Sequence, residues 1–121
     1  MENNTEILLE IGFNRLEAEV YIYMLTHKPS TAYKIGKQIN KPTANVYKAI
    51  ESLAKKGAVL IEDNKNKLCK AVNPNEFLSL YQNAIVEKTN TAKELLNSLE
   101  NDQIDEKSYS IESVPLVFER F

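Results

Sequence analysis

The sequence predicts a mainly α-helical fold carrying one small β-hairpin (α+β), and three observations carry that expectation. Apolar residues recur at steps of three and four from Leu16 to Leu25, from Ala32 to Ile39 and from Val46 to Leu53. A corner at Asn40, Lys41 and Pro42 parts the second and third runs, because asparagine tolerates the left-handed conformation and proline disfavours helix at the residue before it. Two β-prone runs, Ala58 to Ile61 and Lys67 to Val72, flank the polar turn Asp63 to Asn66. Helix, helix, turn, helix, hairpin is the order of a winged helix-turn-helix, and a long C-terminal helix is expected to follow it as a dimerisation element.

Each element has its own local signals. Asn4 or Thr5 caps a short packing helix bearing Ile7, Leu8 and Ile11, which Gly12 stops. Asn14 followed by Glu17 approximates a capping box and opens a first main helix from Arg15 to His27. Val20 to Leu25 is apolar nearly all round, so this helix is expected to be buried on several sides. His27 falls at its last turn, where an imidazole suits the negative helix end, and a ligand or catalytic role is the lesser expectation. Ser30 or Thr31 opens the second helix, with Ala32, Ile35, Gly36 and Ile39 inward and Tyr33, Lys34 and Lys37 outward. Gly36 lowers helix propensity, and close approach of another helix backbone is its expected compensation.

The third helix is expected from about Thr43 to Lys56, with Val46, Ala49, Ile50 and Leu53 inward and Gly57 as its stop. Its outward residues at the start are Thr43, Ala44, Asn45, Tyr47 and Lys48. Asn73 and Pro74 supply a cap and a first-turn proline for a helix to about Glu100. Along it Leu78, Tyr81, Ile85, Lys88, Ala92, Leu95 and Leu99 form a heptad seam interrupted only by Lys88. Beyond Asn101, Tyr109, Ile111 and Val114 have strand-like spacing, and Leu116, Val117, Phe118 and Phe121 make an apolar end. The expected organisation is a winged helix-turn-helix domain at 1–73, a dimerisation helix at 74–101 and a tail at 102–121.

At 121 residues, with 43% hydrophobic and 26% charged residues, the chain suits one soluble domain plus an appended helix. No stretch approaches the roughly 18 apolar residues of a membrane span, and Met1 to Glu6 lacks a signal peptide's layout, so no membrane partner and a cytoplasmic location are expected. Cys69 is the only cysteine and His27 the only histidine, which excludes an internal disulfide and a Cys/His zinc set. Cys69 is expected to pack within the second strand. Phosphate loops, nucleophile–base pairs and metal-ligand spacings are all missing from the sequence, so neither an enzyme nor a cofactor is expected.

The net charge of −2 conceals a split. From Lys28 to Lys70 ten lysines face only Glu51, Glu62 and Asp63, a balance of +7, whereas the remaining residues carry −9. Lysines gathered on one segment favour double-stranded DNA, whose phosphates release condensed counterions on binding. The third helix suits the major groove, where asparagine bridges adenine edges, lysine reaches guanine acceptors, and a threonine methyl or an alanine meets the thymine methyl. Thr43, Ala44, Asn45, Tyr47 and Lys48 are therefore the candidate base readers, although Tyr47 could equally pack against the wing. Thr31, Tyr33, Lys34, Lys37, Lys65 and Lys67 are candidates for backbone phosphates. Leu78, Tyr81, Ile85, Ala92, Leu95 and Leu99 are candidates for a homodimer interface. A helix of roughly 26 residues spans about 39 Å, too long for so small a domain to cover. Two-fold symmetry then implies a pseudo-palindromic site with half-sites about one helical turn apart.

Particular stretches resemble the TrmB family of transcriptional regulators: Ile11-Gly-Phe-Asn-Arg-Leu-Glu-Ala-Glu-Val-Tyr, Thr31-Ala with Ile35, Pro42 with Val46-Tyr47, Glu51-Ser-Leu-Ala-Lys-Lys-Gly57, and Lys70-Ala-Val-Asn-Pro-Asn-Glu-Phe-Leu78. The resemblance implies a DNA-binding domain in a dimeric regulator. Asn40 departs from the family's usual glycine and Lys41 from its usual apolar residue. Larger members continue into a ligand-sensing domain, often for sugars, and no small-molecule effector is assignable from these residues. The alternative reading is a winged-helix adaptor that docks another protein without sequence-specific DNA binding. Such a face would carry an exposed apolar cluster on the third helix or the wing, where the sequence offers small, polar and basic residues apart from Tyr47.

Overall fold

The computed structural model describes residues 2–106. The order is α1 (Glu2–Glu10), α2 (Arg15–Leu25), α3 (Ala32–Ile39), α4 (Thr43–Lys56), β1 (Val59–Ile61), β2 (Cys69–Ala71) and α5 (Pro74–Glu106). This is the winged helix-turn-helix, mainly α with a two-stranded antiparallel hairpin, followed by a long helix. Register in the hairpin pairs Val59 with Ala71, Leu60 with Lys70 and Ile61 with Cys69. An isolated bridge between Ser30 and Cys69 adds one residue pair beyond β2, with Cys69 N donating to Ser30 O at 2.8 Å and Ser30 N to Cys69 O at 3.3 Å.

α1 opens at Glu2, so the expected caps Asn4 and Thr5 lie inside it, whereas local chemistry accounts for the ends of α2 and α3. Asn14 caps α2 in a complete capping box: its side chain accepts from Glu17 N at 2.8 Å, and Glu17 Oε1 accepts from Asn14 N at 2.8 Å. The far end of α2 falls at Leu25, two residues before the expected His27. There the Thr26 hydroxyl donates to the carbonyls of Tyr23 and Ile22, competing with continued helix. His27 lies past the end but still serves it, with Nδ1 2.8 Å from Tyr23 O and its ring stacked on Tyr23 at 3.8 Å between centroids. Thr31 caps α3 by accepting from Lys34 N at 3.2 Å. Asn40 closes α3 in the left-handed conformation, φ 61° and ψ 50°, and α4 then runs over the expected Thr43–Lys56 to a left-handed Gly57.

Gly36 meets the close approach expected of the next helix, with Val46 Cγ2 3.4 Å and the Thr43 backbone 3.7 Å from where its Cβ would stand, but the tightest neighbour belongs to the turn. A Cβ placed there would lie 2.7 Å from the Lys41 carbonyl oxygen, so the turn itself passes over the glycine. The core lies beneath α2, α3 and α4 and is closed by the start of α5. Phe77, Ile35, Ile50, Leu53, Val20 and Val46 are its largest fully buried side chains. Each such burial contributes about 1.5–3 kcal/mol relative to exposure. Phe13, Tyr21, Phe77 and Tyr81 pack edge-on or tilted at 5.5–6.4 Å between centroids. Tyr81 also donates to Ile11 O at 2.8 Å, and Tyr21 to Val72 O at 3.1 Å.

The chain divides into two compact units between Gln82 and Asn83. The first unit thus takes in the opening turns of α5, past the boundary expected at 73, because Phe77 and Tyr81 complete its aromatic cluster. From Asn83 to Asp102 every side chain is exposed. α5 continues to Glu106, so residues 102–106 of the expected tail are helical. The strand-like and apolar run from Tyr109 to Phe121 lies outside the described residues. Among the described residues, no helix is long and apolar enough to cross a membrane.

Candidate nucleic-acid interface

The start of α4 presents a polar row. Thr43, Ala44, Asn45, Tyr47 and Lys48 are all exposed, while Val46, Ala49, Ile50 and Leu53 on the opposite side are buried. The turn fixes this orientation, with Lys41 N donating to Gly36 O at 2.9 Å. Pro42 stands in extended conformation at the N-cap, and no side chain caps that end. Tyr47 is 40% exposed.

Beside this row, α3 exposes Tyr33, Lys34 and Lys37, as its inner stripe of Ile35 and Gly36 requires. The Lys37 ammonium stands 5.6 Å from the Tyr33 ring centroid, a cation–π contact that keeps both side chains on one patch. Thr31 is half-buried, and its hydroxyl oxygen already serves as the α3 cap.

In the hairpin, Lys65 and Lys67 are exposed. Lys67 was expected to begin a strand, but it takes φ 52° in a loop that Asn64 organises. Asn64 Oδ1 accepts from Asn66 N at 3.0 Å and Lys67 N at 3.1 Å, and its amide donates to Glu62 Oε1 at 2.9 Å. These bonds delay β2 until Cys69. Cys69 itself is buried, and burial pushes its thiol above the ordinary value, which keeps it in the unreactive thiol form.

Sequence reasoning missed the support behind α4. Glu17 Oε2 accepts from the Ser52 hydroxyl and from Lys56 Nζ at 3.0 Å, while Lys56 Nζ also donates to Ser52 Oγ at 3.3 Å. Burial raises the Glu17 pKa, but hydrogen bonds from Ser52, the Asn14 N–H and Lys56, with the ammonium's charge, outweigh it and leave the carboxyl below its ordinary value. A cleft of about 250 Å³ lies alongside, lined by Asn14, Leu16, Asn45, Lys48, Ala49 and Ser52.

The seam candidates separate into two groups. Tyr81 is half-buried in the aromatic cluster of its own unit, and Leu78 is exposed there. Ile85, Ala92, Leu95 and Leu99 are exposed, and so are Val86 and Leu96, which widen the apolar stripe beyond the heptad positions. Among the described residues, no group of three or more His, Cys, Asp and Glu side chains is placed to hold a metal ion.

A model of the family described as sugar-specific transcriptional regulator TrmB matches residues 8–75. The Bacillus subtilis (strain 168) protein YrhO is 32% identical over 60 residues, covering 50% of this chain and 22% of YrhO. TrmBL2, described as an archaeal chromatin protein with a novel mode of DNA binding, superposes with a TM-score of 0.76 at 20% identity, over 93% of this chain and 44% of its own. MepR, a transcription regulator of the Staphylococcus aureus multidrug efflux pump MepA, gives a TM-score of 0.52 at 14% identity over 93% of this chain and 87% of its own. The chain therefore spans less than half the length of YrhO and of TrmBL2. The matched segment runs from α1 through both helices of the turn and the hairpin into α5, and the chain belongs to the TrmB family of transcriptional regulators.

Proposed function

We propose that the protein is a sequence-specific double-stranded DNA-binding regulator that acts as a homodimer, with α4 in the major groove and the hairpin on the backbone. The observation that carries this reading is the α4 row: short polar and basic tips stand free on one side of a helix whose other side is locked in the core. Thr43, Ala44, Asn45, Tyr47 and Lys48 would meet base edges. Tyr33, Lys34, Lys37, Lys65 and Lys67, with the backbone at Thr31, would meet phosphates and set register. Family membership and the TrmBL2 likeness support a DNA partner.

The dimer reading rests on the exposed apolar stripe Ile85, Ala92, Leu95, Leu96 and Leu99, for which a second copy is the simplest cover. Tyr81 serves its own unit and is left out of this seam. Residues 1–82 would then form the reader and the helix from Asn83 the dimerisation element. A pseudo-palindromic site with half-sites about one helical turn apart follows from the symmetry.

Gel-shift titration separates the base-reading residues from the phosphate-binding ones. Lys48→Glu should abolish preference for a selected operator, whereas Lys65→Ala or Lys67→Ala should weaken all duplexes alike and flatten the salt dependence by about one unit for each phosphate no longer neutralised. Operator binding by Lys48→Glu at wild-type strength would refute the groove assignment. A complete lack of binding to random duplex at low salt would favour the adaptor reading instead.

A further inference from the structure

Among the described residues Glu17 is the one buried carboxylate, 2% exposed. Its local role in the capping box uses Oε1 alone. The other oxygen, Oε2, is given to α4, where it accepts from Ser52 and from Lys56. The Lys56 ammonium also lies 5.6 Å from the centroid of the Phe13 ring, so it is held from two sides. Burying such a charge pair is a weak source of stability, since an apolar replacement of similar volume often does as well. Hydrogen bonds to a fixed carboxylate do supply direction, within a few tenths of an ångström.

These bonds add direction partway along α4, beyond what the turn supplies at its start. Val46, Ile50 and Leu53 hold it by apolar packing, which is non-directional and tolerates small rotations about the helix axis. Lys48, Ser52 and Lys56 are spaced by four and share one face of the helix. Glu17 grips the second and third of these, while the first stands free one turn ahead and lines the cleft with Asn45 and Asn14. We infer that Glu17 is a positioning residue for base recognition: through Ser52 and Lys56 it fixes the rotation of α4 on α2, and so sets where Asn45 and Lys48 point. The inference rests on the α4 reading proposed above. Rotation of a helix by a fraction of a residue step displaces its tips enough to spoil a two-point hydrogen bond to a base while leaving diffuse phosphate attraction in place.

The test uses the full chain and compares each variant's affinity for the duplex that wild type selects from a random pool with its affinity for a scrambled duplex, at a temperature where circular dichroism shows every variant folded. Glu17→Ala and Ser52→Ala are expected to lower that ratio by about fivefold or more, the discrimination one good bidentate base contact carries. Affinity for scrambled DNA and its salt slope should hold, because every phosphate-binding side chain is kept, and Ser52→Thr, which restores the hydroxyl, should recover the ratio. If Glu17→Ala does not fold, Ser52→Ala still decides, since it deletes a single hydroxyl from the lock. Residual dipolar couplings on the free protein give a second readout, with α4 expected to reorient on α2 in Ser52→Ala. Unchanged ratios or an unchanged helix orientation would overturn the inference and leave the groove assignment standing. A wild-type protein without sequence preference would overturn both.

Discussion

Replacing Phe77 by alanine is expected to remove a large share of the stability of the first unit. The ring is fully buried, and its centroid lies 5.5 Å from Tyr21, 5.5 Å from Tyr81 and 5.9 Å from Phe13. Truncating a core phenylalanine costs about 3–5 kcal/mol, from transfer free energy forgone and the residual cavity. The three ring pairings, at about 0.5–1.5 kcal/mol each, argue for the upper part of that range. A unit of this size holds on the order of 4–12 kcal/mol in total, at roughly 0.05–0.15 kcal/mol per residue. At about 4–8 °C per kcal/mol, the melting midpoint should fall by at least roughly 12 °C. Urea titration followed by near-ultraviolet circular dichroism is the fitting assay, because Tyr21 and Tyr81 flank the deleted ring and report this unit. Far-ultraviolet signal would mix in the helix beyond Gln82. A loss below about 1 kcal/mol, with an unchanged urea slope, would mean that α5 does not close this core.

Three further outcomes can be checked together. Gly36→Ala gains helix propensity yet should destabilise by about 1–3 kcal/mol in thermal melts, because the new methyl meets the Lys41 backbone carbonyl, which cannot swing aside as a side chain would. The Glu17 carboxyl lies below its ordinary value of 4.5 in the fold, so its contribution is complete above that value and vanishes as pH falls through the lower folded one; Glu17→Gln should flatten the acid limb of a stability–pH curve, and parallel curves would contradict the network. Leu95→Lys with Leu99→Lys should shift sedimentation at micromolar concentration from dimer to monomer, and a wild type found only as monomer, with and without DNA, would sink the dimer proposal.

The helix-turn-helix was legible because its determinants are local. Asn40, Pro42 and Gly57 each restrict the backbone on their own account, and the 3.6-residue stripe of α4 leaves one outward side, so both its limits and its exposed row could be read directly. What escaped reading depends on residues distant in sequence. Glu17 is fully explained by its capping box, and nothing nearby announces a second pair of bonds to Ser52 and Lys56. Tyr81 fits a heptad seam as well as it fits a core, and its contacts with Phe13 and with the Ile11 carbonyl, distant in sequence, draw it to its own unit. The Ser30–Cys69 bridge joins a single residue pair, too short for any alternation to signal it. Lys67 looked extended because lysine seldom adopts positive φ, and Asn64 overrides that preference through two backbone bonds.

The bridge between Ser30 and Cys69 also bears on how the protein would meet a partner. It fastens the lead-in to α3 onto the second strand of the hairpin through two backbone hydrogen bonds. Two pieces of the candidate surface that are far apart along the chain therefore share one rigid footing, and the entropy of aligning them is met during folding rather than at docking. A ligand spanning both would encounter a single prearranged jaw, so its association rate should depend on charge and orientation more than on any slow closure of the hairpin.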